Sequence, residues 1–132
     1  MSPLSFGFEL ALEFDPSLRY DTLSGGRGFS RLVGGSIEGP RLSARIHPDG
    51  GDFELLRPDG IVELDGRYIA RTDDGQVLYL QNRGYLRADG SIRCSPRIEA
   101  PPGRLGWLSA ALIVGIGERD GHVARIRCYE AP

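Results

Sequence analysis

Three ionisable residues near the middle of the chain have types and spacing that suit proton chemistry. Asp52 follows two glycines and precedes Phe53. A carboxyl beside a ring at the mouth of a barrel is poorly hydrated, which raises its pKa and suits it to general acid or base work. The same side chain could instead close the turn Pro48–Gly51 by accepting backbone N–H groups. Asp65 and Arg67 lie two apart, so on a strand they project from one face. There Asp65 could exchange a proton while the Arg67 fork clamps a carboxylate or oxyanion. With Glu63 and Arg71 they also form an alternating-sign row of the kind that coats a solvated outer wall. Tyr68, Tyr79 and Trp107 could line a pocket for a ring-bearing ligand or simply fill a core. Asn82 could orient a carbonyl or terminate its strand.

Other chemistries are excluded by what the chain lacks. All sixteen basic residues are arginine. Without lysine there is no Schiff base and no P-loop. No G-x-S-x-G elbow, H-E-x-x-H or clean dinucleotide fingerprint occurs, and Gly115-Ile116-Gly117 precedes a turn and a strand rather than a helix. His47 and His122 are isolated, Cys94 and Cys128 form no C-x-x-C, and neither a metal nor a cofactor is expected. A net charge of −2 and a pI near 5.7 give no electrostatic footprint for nucleic acid. Met1–Gly7 has no basic n-region, and no apolar run reaches the roughly 18–20 residues of a membrane span. The expectation is a cytoplasmic protein with reduced thiols and no membrane partner.

The elements that must position these groups read as strands. Nineteen glycines and nine prolines fall between short apolar runs, which marks turns rather than disorder. Phe6, Phe8, Leu10, Leu12 and Phe14 alternate with small or polar residues, so Ser5–Phe14 is a strand with one buried face. Ser17–Arg27 reads as a loop. Further strands follow at Gly28–Ile37, with a bulge or bend at Gly34-Gly35, then at Leu42–His47, Asp52–Leu56, Ile61–Thr72 and Val77–Asn82. Cys94–Pro102 carries three prolines and reads as an edge strand or ordered loop. Leu105–Gly117 is apolar on both faces and is taken as a strand, with Glu118–Gly121 as a hairpin loop before the last strand, His122–Glu130. Eight or nine strands in strings of hairpins predict one all-β domain, residues 1–132, built as a closed or nearly closed antiparallel up-and-down barrel. An outward apolar face on Leu105–Gly117 would need cover, so a homo-oligomer, most simply a dimer, is expected.

Several segments resemble the small bacterial domain-of-unknown-function family numbered thirty-two thirty-seven. These are Gly35–Pro40, Pro48–Phe53, Leu64–Tyr68 running into Thr72–Gly75, Asn82–Gly84, Gly106–Leu108 and Arg125–Tyr129. The resemblance covers most of the chain and implies a small β-barrel, but no activity. The family pattern commonly carries tryptophan where this chain has Phe53, so an indole N–H donor is lost there.

Three functions fit these residues. The first is a cofactor-independent acid/base enzyme, of isomerase, cyclase, hydratase or lyase type, acting on a small aromatic or enone-like molecule in the barrel. The second is a lipocalin-like binder of small apolar ligands. The third is a structural or partner-binding barrel. Convergent ionisable groups inside would favour the first, an apolar cavity the second and a filled interior the third. The expected catalytic residues are Asp52, Asp65 and Arg67, and the expected substrate contacts are Tyr68, Tyr79, Asn82 and Trp107.

Overall fold

The structure is a computed structural model that describes residues 3–132. Ten strands occur: β1 Ser5–Phe14, β2 Leu18–Thr22, β3 Gly25–Gly39, β4 Leu42–Ile46, β5 Gly51–Leu56, β6 Val62–Arg71, β7 Val77–Leu86, β8 Ser91–Glu99, β9 Ile113–Asp120 and β10 Val123–Glu130. All pairings are antiparallel, and β1 pairs both β10 and β3, which closes the sheet into a barrel. Two of its eight staves are composite. β1 and β2 together line the whole of β3, bending between Phe14 and Leu18 where Pro16 can donate no ladder bond. Likewise β4 pairs the second half of β3 and β5 the first half, with a break at His47–Gly50. At that break Asp49 has φ of +85°, a conformation that aspartate tolerates better than most residues.

Period-two alternation decides what points inward. On β1 Phe8, Leu10, Leu12 and Phe14 are buried; on β6 Val62, Leu64, Gly66, Tyr68 and Ala70; on β10 Ala124, Ile126 and Cys128. The two ends of the barrel differ. The end formed by the start of β1 and the finish of β8 is packed dry, with Phe8, Ile37, Leu80 and Ile98 no more than 1% exposed. The opposite end, formed by the finish of β5, β7 and β9, is the mouth.

Several expectations need correction. Ser17–Arg27 is not a loop, since β2 and the start of β3 form a hairpin there. The prolines do not make β8 an edge: it pairs β7 along its length, and its pairing with β9 ends at Cys94, so Pro96 faces no missing ladder partner. Leu105–Gly117 is not one strand. Gly106–Ala110 is a 3-10 helix, and Leu105 and Leu108, three apart, both point into the core at the 3-10 period. The helix plugs the dry end. Glu118–Gly121 is likewise not all loop, because β9 runs on to Asp120. Among the described residues no helix is long and apolar enough to cross a membrane.

The plug makes a prediction. Leu108→Ala leaves a hole in the dry end and should cost about 2–5 kcal/mol in urea unfolding. Leu112→Ala, at a site 67% exposed, should stay within about 0.5 kcal/mol of wild type. Equal effects would mean that the helix does not plug the barrel.

Candidate functional site

The upper interior is where the barrel departs from an apolar core. β5 turns Asp52 and Glu54 inward from positions two apart, with Phe53 between them pointing out. The register places Ser30, Asp52, Gly66, Asn82 and Pro96 in one row across β3, β5, β6, β7 and β8. Gly66 leaves a gap in that row. Tyr68, two residues further along the same face, fills it by lying back over Gly66, and its hydroxyl donates to Asp52 Oδ1. A Cβ at position 66 would strike both Asp52 Oδ1 and the Tyr68 hydroxyl, so the contact requires glycine there.

The two inward carboxyls have different surroundings. Glu54 accepts from Ser17 Oγ at 2.6 Å and Ser30 Oγ at 3.1 Å, and Arg19 Nε lies 3.9 Å away. Asp52 has one hydroxyl donor. Burial pushes its pKa up to about 7 and the nearby Glu54 adds to the rise, while the Tyr68 hydrogen bond and the Arg119 charge work against it. The same burial, with the Asp52 charge, raises the Tyr68 phenol well above its ordinary value, so it remains an O–H donor at neutral pH. Asn82 is 3% exposed, and its Oδ1 has no hydrogen-bond partner. Beside it the Cys94 thiol is pushed up to about 12 by burial and stays protonated, which removes it as a nucleophile. Among the described residues no cluster of histidine, cysteine, aspartate or glutamate could hold a metal.

Above this group lies the mouth, a cleft of about 300 Å³ lined by Arg19, Val62, Leu86, Arg87 and Arg119 among others. Arg119 follows Ile113, Gly115 and Gly117 on the inward face of β9. Its Nε donates to the Gly121 carbonyl at 3.1 Å, and its guanidinium carbon sits 4.7 Å from the centre of the Phe14 ring. A roomier cleft of about 440 Å³ opens on the outer wall by Tyr20, Arg27, Phe53 and Arg83. Asp52 and Asn82 line neither this cleft nor the mouth cleft, and Tyr68 lines a side cleft at the break between β4 and β5.

The expected site residues divide between the two faces of the wall. Asp52, Tyr68 and Asn82 come together inside. Asp52 does not close the Pro48–Gly51 turn, and its neighbour Phe53 is 62% exposed, packing on Phe29 at 4.8 Å outside the barrel. Asp65 and Arg67 are outside too, because β6 turns Leu64, Gly66 and Tyr68 inward and so must turn 65 and 67 outward. There Arg67 sits 3.7 Å from Asp65 and donates to the Tyr79 hydroxyl at 3.1 Å. Arg67 and Tyr79 line, with His47, Asp49 and Tyr68, a side cleft of about 290 Å³ at the break between β4 and β5. Trp107 rides on the plug at the far end, under Arg41 at 3.6 Å. Arg119, Glu54, Arg19 and Ser30 were not anticipated. For Glu54 the signal was its spacing from Asp52, and for Arg119 it was continued alternation through Gly115 and Gly117.

The raised Asp52 pKa makes stability depend on pH. Because the folded value lies above the ordinary 3.8, folding favours the neutral acid. That contribution is complete below about pH 4 and is lost as pH rises through about 7. Asp52→Asn keeps an acceptor for Tyr68 and never ionises. It should therefore gain on wild type as pH rises, by up to roughly 4 kcal/mol above about pH 8. Urea melts of both proteins at several pH values test this, and a pH-independent difference would mean that Asp52 titrates as an ordinary carboxyl.

Comparison with known proteins agrees with this architecture. The sequence model of the family described as protein of unknown function (DUF3237) matches residues 2–92. A UPF0311 protein of Rhodopseudomonas palustris is 32% identical over 121 residues, spanning 76% of this chain and 78% of that protein. The crystal structure of a conserved protein of unknown function from Rhodopseudomonas palustris superposes with a TM-score of 0.87 at 24% identity, covering 98% of this chain and 99% of that one. A β-barrel-like protein of Acinetobacter baumannii gives 0.86 at 24%, with 98% and 97% covered. A protein described as an enzyme from Penicillium herquei gives 0.73 at 19%, with 97% and 96% covered. Those likenesses concern the fold; the family match over residues 2–92 and the Rhodopseudomonas relative go further, and the chain belongs to the DUF3237 family.

Proposed function

We propose that this protein is a cofactor-independent acid/base enzyme that moves a proton on a small organic molecule held in the upper barrel. The observation that carries the reading is the buried Asp52–Tyr68 pair. A carboxyl that titrates near neutrality is useful as either acid or base, because both protonation states are populated at working pH. As carboxylate, Asp52 would take a proton from the substrate, and the Tyr68 hydroxyl would steady the charge at the carboxyl. As acid, Asp52 would return that proton at a second position, giving an isomerisation, or to a leaving group, giving an elimination. Arg119 faces the same space, and a guanidinium there stabilises negative charge developing on the substrate. The Penicillium herquei enzyme supports the reading in one respect: a barrel of this shape can house catalysis. The outer pair Asp65 and Arg67 has no part in it.

A ligand screen opens the test, with aromatic and enone-like compounds ranked by thermal shift and hits assayed for turnover. Asp52→Asn and Tyr68→Phe should lower kcat by about 10²–10⁴. Asp65→Asn and Arg67→Lys should turn over like wild type. The wild-type kcat/KM profile should bend near pH 7. Full turnover by Asp52→Asn would sink the proposal, and binding with no turnover by wild type would leave a ligand-carrying barrel.

A further inference from the structure

Three arginines, Arg19, Arg87 and Arg119, line the mouth cleft, and Arg119 is the one on the inward face of its strand. Arg19 has a partner, the inward Glu54 carboxylate at 3.9 Å. Arg87 and Arg119, which also line the cleft, lie within 4 Å of no carboxylate among the described residues, as is also true of Arg27, Arg45, Arg71, Arg83, Arg93 and Arg97 on the outer wall. Arg119 is also held in place. Its Nε is committed to the Gly121 carbonyl and its flat face to Phe14, which leaves the Nη edge as a fixed pair of donors. A planar fork with both Nη groups free matches a carboxylate or another bidentate oxyanion. Glu118 and Asp120 flank Arg119 in sequence, but strand alternation turns them to the outer wall. Asp89, near Arg87, is committed to the Ser91 N–H at 2.9 Å.

A second observation is the apolar part of the cleft wall, where Val62 and Leu86 line it beside the arginines.

We propose that the ligand of this barrel is a small organic anion, its charged oxygens held by Arg119 at the mouth and its apolar body along Val62 and Leu86. This rests on reading the upper barrel as the substrate site and adds the class of substrate. A cleft of about 300 Å³ suits a molecule of one ring.

The test is binding, independent of turnover. The probes are 4-hydroxybenzoate and its uncharged methyl ester, titrated by calorimetry and by amide chemical shifts. The anion should bind at least about tenfold more tightly than the ester, and Arg119→Gln should remove that preference. Raising salt to about 0.5 M should weaken the anion and spare the ester. Arg83→Gln, on the outer wall, should change nothing. Amide shifts should map to β9, β6 and the β7–β8 turn, which checks the location even if Arg119→Gln proves unstable. Equal affinity for acid and ester, an unchanged Arg119→Gln, or no binding of the anion up to about 10 mM would each overturn the inference. Asp52→Asn should still bind the anion. If it does, yet turns over a substrate fully, the acid/base reading falls and the anion site stands. A neutral substrate whose turnover needs Asp52 but not Arg119 gives the converse.

Discussion

Tyr68 reaches Asp52 only because position 66 is glycine. On a strand the residues at i and i+2 normally stand side by side over the sheet, each occupying its own column. Here one column is vacant, and a phenol folds into it across its own backbone until its hydroxyl meets the carboxyl of the adjacent strand. The arrangement solves a problem that the barrel otherwise could not. An aspartate in a dry interior needs a donor, and β5 is laddered on both sides, to β3 and to β6. The phenol supplies one hydrogen bond and excludes water at the same time. That combination keeps the carboxyl in place while leaving it near neutrality rather than deep in the ionised range.

The rest of the barrel supports that contact by being different at its two ends. The dry end is sealed by the 3-10 plug and by side chains from every stave, which fixes β6 and β7 where Tyr68 and Leu80 are rooted. The mouth is built from turns at Gly60, Gly90 and Gly121, all at positive φ, so the chain reverses there with little side-chain bulk. Small turns leave room for long arginines to arch over the opening. Along the barrel axis the interior runs from hydrocarbon, through a layer of hydroxyl, amide and carboxyl groups, past Val62, Leu64 and Leu86, to the guanidinium groups of the mouth.

Much of this was legible in the residues, and the failures share one cause. β1, β4, β6 and β10 are readable because each alternates cleanly between core and solvent, and β5 is readable from the turns that bound it. β2 was missed because all five of its residues are exposed, which leaves no apolar period to detect. The plug reads as strand because Leu105–Gly117 is apolar on both faces, and periodicity cannot separate a short buried helix from a buried strand. The site was half visible for the same reason. Apolar-in alternation on β6 already implied that Asp65 and Arg67 face out, and weighing their chemistry above that rule put them in the expected catalytic set. Arg119 was hidden inside what looked like a turn, and glycines at 115 and 117 carry no hydrophobic signal although they hold the inward phase of the strand.

The contrast between Asp52 and Glu54 shows where reactivity can reside. Both are inward, two residues apart on one strand, and both are shielded from water. Glu54 is given what a buried charge needs: two hydroxyl donors and a guanidinium within 4 Å. A carboxylate so satisfied is a structural anion, holding the β1–β2 bend to β3 and β5 through Ser17 and Ser30. Asp52 is given less than a charge needs, a single phenol and a distant arginine. Under-solvated carboxyls are costly to ionise, and that cost is what makes them willing to exchange a proton with something else. Of two inward acids on one strand, the one left poorly satisfied is the better placed to exchange a proton, while the other ties neighbouring strands together. Asp52 is thus the inward carboxyl that its surroundings leave near neutrality, and Glu54 helps to hold the strand that presents it.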